Sequence, residues 1–359
     1  MKIAFLADHL VLGGLETHII SFTNELLERG HQILLYTASA VPEILSQVRD
    51  NDSTFHYISW TGDPVNDVKP FNPDIIHAHP FEAILKGQQV AEVLKKPFIV
   101  TIHGAYGHYL DRSPIGYKTS QYVQRIIAVD LRAATFLLND TAHPEKISVI
   151  RNGINLNDFH PIPCDPEGRQ RLALNPDWFT IAAISRLANG KEYAVLQLLR
   201  CAPALARHLG GLNLMVVGDG PSYPQVEKAG TSLLANSKNI NIKIMGRQDN
   251  VQKFLAFSDV VLACGRAALE AMACQRPVFA MRNGFAGVVD QNNHHEILFN
   301  VRGFHTLTDE ELICALAGLA EDKQYRDQLA RDGYEIIRRY YDITENTTQL
   351  ERIYEQYCR

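Results

Sequence analysis

MKIAFLADHLVLGGLETHIISFTNELLERGHQILLY, residues 1–36, holds the alternation on which the fold turns. Residues 2–7 form a short apolar run of the kind required of a strand buried on both faces. Residues 18–29 then carry Ile19, Phe22, Leu26 and Leu27 at helical spacing, with Gly30 placed as a C-cap. Residues 32–36 are apolar again, so the unit is strand, helix, strand. The same short Ile- and Val-rich runs recur at 74–77, 98–102 and 126–129. The rhythm stops at 159–170, where Pro161, Pro163 and Pro166 with Asp165 and Gly168 predict a linker. It resumes at 180–184, 212–217, 240–245, 260–263 and 277–280. Two doubly wound parallel sheets of the α/β class follow. They divide the chain into residues 1–160, residues 161–338 and a closing helix at 339–359. Within 335–359 two helices are expected, with a kink near Asp342 or Thr344, either of which could serve as N-cap.

Composition excludes several functions. Hydrophobic residues at 46% and charged residues at 21% describe a folded globular chain. A net charge of −5 gives no general attraction for nucleic acid, and no nucleic-acid partner is expected. The opening segment reads as a strand rather than a signal peptide, and no apolar run reaches the roughly 18–20 residues of a spanning helix. The expected location is cytoplasmic, with peripheral association at the inner membrane face left open. Residues 1–160 hold 13 Lys and Arg against 17 Asp and Glu, which offers no broad basic surface for anionic lipid. The 6 cysteines are scattered without metal-ligand spacing. Among the 14 histidines, His77 and His79 alternate on a strand and His294 and His295 are neighbours, so neither cofactor nor metal is expected. Oligomeric state cannot be read.

Ligands of such sheets bind at the carboxyl ends of strands. That rule selects residues 8–14, 103–105, 185–191, 218–221, 246–250 and 264–268. In LGGLETH, Gly13 and Gly14 could let backbone amides approach a phosphate or sugar before a helix, though a plain tight turn reads equally well. Arg186 and Lys191, in ISRLANGKEY, place a planar fork and a point charge where both could hold one diphosphate and stabilise it as it departs. Gly218 in VVGDGP, and Gly246, Arg247 and Gln248 in MGRQDN, follow strands and suit a nucleotide's base or phosphates. The sharpest run is ACGRAALEAMACQRPVFA. There Gly265, Arg266 and Ala267 open a helix whose amides suit phosphate oxygens, and Glu270 sits on an otherwise apolar helix as a candidate ribose acceptor. His103, after the strand in FIVTIHGAYG, is a candidate catalytic, substrate-contacting group. Tyr106, His108, Tyr109 and Arg112 beyond it either bind acceptor or form an ordinary loop.

Taken in order, GGLETH, VTIHG, VIRNGINLNDFHP, ISRLANGKE, VVGDGP, MGRQDN and LEAMACQRPV resemble glycosyltransferase family 4. The resemblance implies the GT-B fold, with two Rossmann-like domains facing across a cleft. It also implies retaining transfer of a hexose-type sugar from a nucleotide-sugar donor, UDP-linked, to an acceptor that is a glycan, a lipid-linked molecule or a small molecule. Arg186 and Lys191 would bind the diphosphate, Glu270 the ribose, the 246–248 turn the base, and His103 the transferred sugar, with Gly13 and Gly14 near the phosphates. Residues 151–155 would end the first domain and the last helix would return to it. Where the family has a Glu eight residues before the ribose-binding one, this chain has Leu262, and the loop is shortened to Cys264-Gly265-Arg266. A nucleotide-sugar epimerase and a nucleotide-sugar-binding protein without catalysis are the alternative readings. Arg266 would contact phosphate or an acidic sugar.

Overall fold

The computed structural model describes residues 1–11, 13–50, 53–248, 250–281, 284–299 and 305–358. The chain divides into two compact units, one made of Met1–Asn155 with Tyr340–Arg359 and the other of Leu156–Arg339. The first division falls a few residues before the expected 160/161. Its physical reason is that the Asp158 carbonyl accepts from the side-chain amide of Gln252, tying this segment to the second unit.

Seven strands build the first sheet: β1 Lys2–Leu10, β2 Gln32–Ala40, β3 Phe55–Ser59, β4 Ile75–Ala78, β5 Phe98–Ile102, β6 Arg125–Ala128 and β7 Ile147–Val149. They are parallel throughout, in the order β3-β2-β1-β4-β5-β6-β7. Successive side chains of β1, β4 and β5 enter opposite cores. Leu6, Ile76 and Val100 lie in one and Phe5, Ile75 and Ile99 in the other, which is why the strands read as continuous apolar runs. Strand order reverses where β1 meets β4, the switch point at which open sheets of this kind carry ligands. Asp8 lies at that point. Its carboxylate accepts from the backbone N–H groups of Phe81, Glu82 and Ala83 at 2.9, 3.1 and 2.7 Å, satisfying the start of the helix Glu82–Leu94.

The closing helix Ile343–Tyr357 belongs to this unit and packs on the helix Gly14–Glu28. Asp342, rather than Thr344, is its N-cap, accepting from the Thr344 N–H at 2.9 Å. Ile343, Leu350 and Tyr354 join the core. Glu351 receives Arg29 at 2.5 Å and His31 at 2.7 Å.

Six strands build the second sheet: β8 Phe179–Ile184, β9 Leu212–Val217, β10 Ile240–Met245, β11 Val260–Ala263, β12 Val278–Met281 and β13 Phe285–Val288. The order is β10-β9-β8-β11-β12-β13, with only β12 and β13 antiparallel and a switch point between β8 and β11. The expected linker contains a helix, Pro166–Arg171, because Pro166 occupies its first turn and Asp165 caps it by accepting from Gly168 N–H. No helix among the described residues is long and apolar enough to cross a membrane.

Candidate functional site

In the first unit the carboxyl ends of β4 and β5 bring three imidazoles together. His79 follows β4, His103 follows β5, and His18 comes from the helix Gly14–Glu28. His79 Nδ1 and His103 Nε2 are 2.9 Å apart, and the His18 and His103 rings meet edge to face at 4.7 Å. Asn152 Oδ1 lies 2.9 Å from His18 Nδ1, so that nitrogen donates and fixes the tautomer. His77 stacks on His79, but its nitrogens are spent on Tyr354 Oη at 2.6 Å and Thr101 Oγ1 at 2.7 Å. Burial pushes the pKa of His77 down to about 3, and burial, then neighbouring imidazoles, hold those of His79 and His103 well below the ordinary range. All three are therefore neutral at pH 7.

The loop beyond β5 is built inward. The His103 N–H donates to Tyr106 Oη at 3.0 Å, and a Cβ on Gly104 would crowd the Tyr106 ring. Tyr106 also packs on Phe81, and burial raises its hydroxyl to about 12. His108 is 1% exposed. Its Nδ1 accepts from Leu110 N–H and its Nε2 faces Asp140 at 3.1 Å. This corrects its expected place at an acceptor, since packing under Phe136 leaves it no exposed surface to offer. Tyr109 and Arg112 are exposed. Gly13 caps and Gly14 opens the helix Gly14–Glu28; both are exposed, and Glu16 crowds any Cβ at Gly13.

In the second unit, Arg186 and Lys191 follow β8. Lys191 is the first residue of the helix Lys191–Leu209, which Gly190 can enter because its φ is +90°. Arg186 is exposed and Lys191 half-buried. Among the described residues neither side chain has an ion-pair or hydrogen-bond partner, so two uncompensated cations stand at the ends of this sheet's strands. Gly218, at φ +140° after β9, packs directly on the Ser185 carbonyl, and Leu187 N–H donates to Asp219 O at 2.7 Å. These contacts bind the loops after β8 and β9 into one platform. A Cβ on Gly246 would meet the Tyr223 ring at 3.9 Å, an ordinary contact; Arg247 is exposed and Gln248 half-buried.

After β11, Gly265 with φ +56° starts the helix Gly265–Ala273, which also carries Arg266, Ala267 and Glu270. Arg266 Nε donates to Glu270 Oε1 at 2.8 Å. Burial raises the Glu270 carboxyl, and Arg266 opposes that shift. The carboxylate thus has the partner that the sequence did not reveal, at helical i,i+4 spacing. Arg266 Nε is engaged by that carboxylate. Leu262 is fully buried in β11 and belongs to the core.

Sequence profiles of two families match, Glycosyltransferase Family 4 over residues 12–158 and Glycosyl transferases group 1 over residues 179–322. The chain is 25% identical to the N-acetyl-alpha-D-glucosaminyl L-malate synthase of Bacillus anthracis, across 89% of this chain and 91% of the relative. It is 22% identical to the phosphatidylinositol N-acetylglucosaminyltransferase gpi3 subunit of Schizosaccharomyces pombe, across 96% and 78%. Its fold matches that of Anabaena HepE in complex with UDP, with a TM-score of 0.76, 19% identity and coverage of 99% and 100%. It likewise matches a glycosyltransferase from Rickettsia africae, with a TM-score of 0.77, 19% identity and coverage of 99% and 98%. With one profile on each sheet and both sheets of the expected topology, the chain belongs to the family 4 glycosyltransferases of GT-B fold.

Proposed function

We propose that this glycosyltransferase moves a hexose-type sugar from a UDP-sugar to a hydroxyl acceptor, with retention and without a metal. The observation that carries the reading is the unpartnered pair Arg186 and Lys191 at the carboxyl end of β8, beside the glycine-shaped loop after β9. Uncompensated cations on a rigid platform suit a group whose negative charge grows as its bond to sugar breaks. In the step, the bond between the anomeric carbon and the diphosphate oxygen breaks and its electron pair stays on phosphate. The acceptor oxygen forms its bond on the same face, and its proton passes to the departing phosphate. Arg186 and Lys191 take the electrostatic part that a divalent ion plays elsewhere.

Glu270 accepts from the ribose hydroxyls, for which Arg266 holds it in place. The amides of Arg266 and Ala267 with Gly218 and Gly265 face the phosphates, and Arg247 and Gln248 flank the base. Neutral His103 contacts the transferred sugar, Gly13 and Gly14 lie near the phosphates, and Tyr106, Tyr109 and Arg112 form the acceptor side. UDP is preferred as the nucleotide because HepE, of the same fold, is described with UDP and with UDP-glucose. The proposed location is the cytoplasm.

A thermal-shift series with UDP, GDP, ADP and their sugars, on chelator-treated protein, tests this. A ligand that binds only the folded chain raises its melting temperature. UDP should do so in the native protein and fail to do so in Arg186→Ala and Lys191→Ala. No shift with any nucleotide would overturn the reading.

A further inference from the structure

We propose that His18, His79 and His103 form a binding site for a divalent transition ion of the Zn²⁺ or Co²⁺ type, distinct from any requirement of sugar transfer. Each imidazole offers one nitrogen, and the three lie within 4.8 Å of one another. A tetrahedral ion with nitrogen bonds of about 2.0–2.1 Å sets its ligands about 3.3 Å apart. The approach needed is therefore about 1.5 Å at most, within reach of small side-chain rotations. His79 Nδ1 and His103 Nε2 are already at 2.9 Å.

One further observation points to an ion rather than to a packed aromatic cluster. Asn152 takes the proton of His18 Nδ1 and makes Nε2 the lone-pair nitrogen. Such an outer bond orients metal-binding imidazoles. An all-imidazole set selects Zn²⁺, Co²⁺, Ni²⁺ or Cu²⁺ over Mg²⁺ or Ca²⁺. His77 is excluded from the set because Tyr354 and Thr101 hold both its nitrogens.

His103 is half-buried whereas His18 and His79 are buried, so His103 is the ring through which solvent reaches the trio. Its capture by the ion would withdraw it from the sugar; this consequence rests on the function proposed above, whereas the site itself does not.

The full chain, stripped with chelator and free of nucleotide, is titrated with Co²⁺. One equivalent should produce the visible absorbance of a tetrahedral nitrogen site, and Zn²⁺ should abolish it by displacement. His18→Gln and His79→Gln should each weaken binding by more than the roughly tenfold to hundredfold that loss of an outer-shell partner costs. His9→Gln, outside the trio, should bind as the native chain does. X-ray absorption of the native chain with Zn²⁺ should count three imidazole nitrogens and serves even if a variant folds poorly. Absence of Co²⁺ absorbance in folded native protein, an all-oxygen Zn²⁺ shell, or unchanged affinity in both folded variants would each overturn the site. A failed UDP shift with intact Co²⁺ binding would instead count against the proposed function alone.

Discussion

Arg186 and Lys191 gain nothing from the fold and cost it little, because neither touches a partner among the described residues. Replacing either by Ala should change folding stability by no more than about 0.5 kcal/mol in urea denaturation. Turnover should fall about a hundredfold to a thousandfold, as when a donor aimed at developing charge is removed. Gly218 shows the opposite balance. Its φ of +140° and its seat against the Ser185 carbonyl leave no room for a methyl group. Gly218→Ala should cost about 2–5 kcal/mol from strain and overpacking together, read as a lowered urea midpoint. Arg186, Lys191 and Gly218 were all legible as site candidates because they follow strands. The Arg266–Glu270 pair was half legible: i,i+4 spacing was visible, but a helix face that turns both groups toward one another is known only once the helix start is fixed by Gly265.

At the scale of elements, the strand ends place the chemistry. Asp8, near the end of β1, holds three N–H groups at the start of the helix that follows His79. Asp8→Ala should cost about 1–2 kcal/mol in denaturant unfolding, the upper range for a lost helix cap. The histidines behind β4 and β5 make the first unit acid-labile. His77 has a folded pKa of about 3 against an unfolded value near 6.5, so the unfolded chain binds the extra proton between those limits. Stability contributed this way is complete above about pH 6.5 and is lost as pH falls toward 3, at up to about 1.4 kcal/mol per pH unit per histidine. Melting temperature followed against pH should decline through this window, less steeply in His77→Gln. The trio itself escaped the sequence because His18, His79 and His103 are far apart in the chain. Only the pairing of β4 beside β5 makes their ends neighbours. The long buried strands were readable, whereas β3 and β7, with half-exposed side chains and no sustained apolar run, were not. β13 contains Gly287 at φ +127° and runs antiparallel, against the pattern of its sheet.

At the scale of the molecule, the first unit is assembled from two separated pieces of chain. Cutting the chain after Tyr340 would remove Ile343, Leu350 and Tyr354, each 3% exposed or less. At about 1.5–3 kcal/mol for each buried side chain, the loss is roughly 5–9 kcal/mol. That rivals the entire stability of a typical domain, about 5–15 kcal/mol. The shortened chain should lose cooperative melting of the first unit, and Arg29 and His31 would lose Glu351. The two-sheet plan was evident from the alternation of short apolar runs. That the last helix supplies core to the first sheet came from family resemblance, since an amphipathic helix does not state which surface it will cover.

Because Tyr354 closes over His77 on the first sheet, the order of birth and the order of maturation differ. A ribosome releases residues 156–339 as a complete set while the earlier sheet still waits for its last helix. The amino-terminal segment of the first unit thus spends most of translation with an uncovered apolar surface, where chaperones would find it.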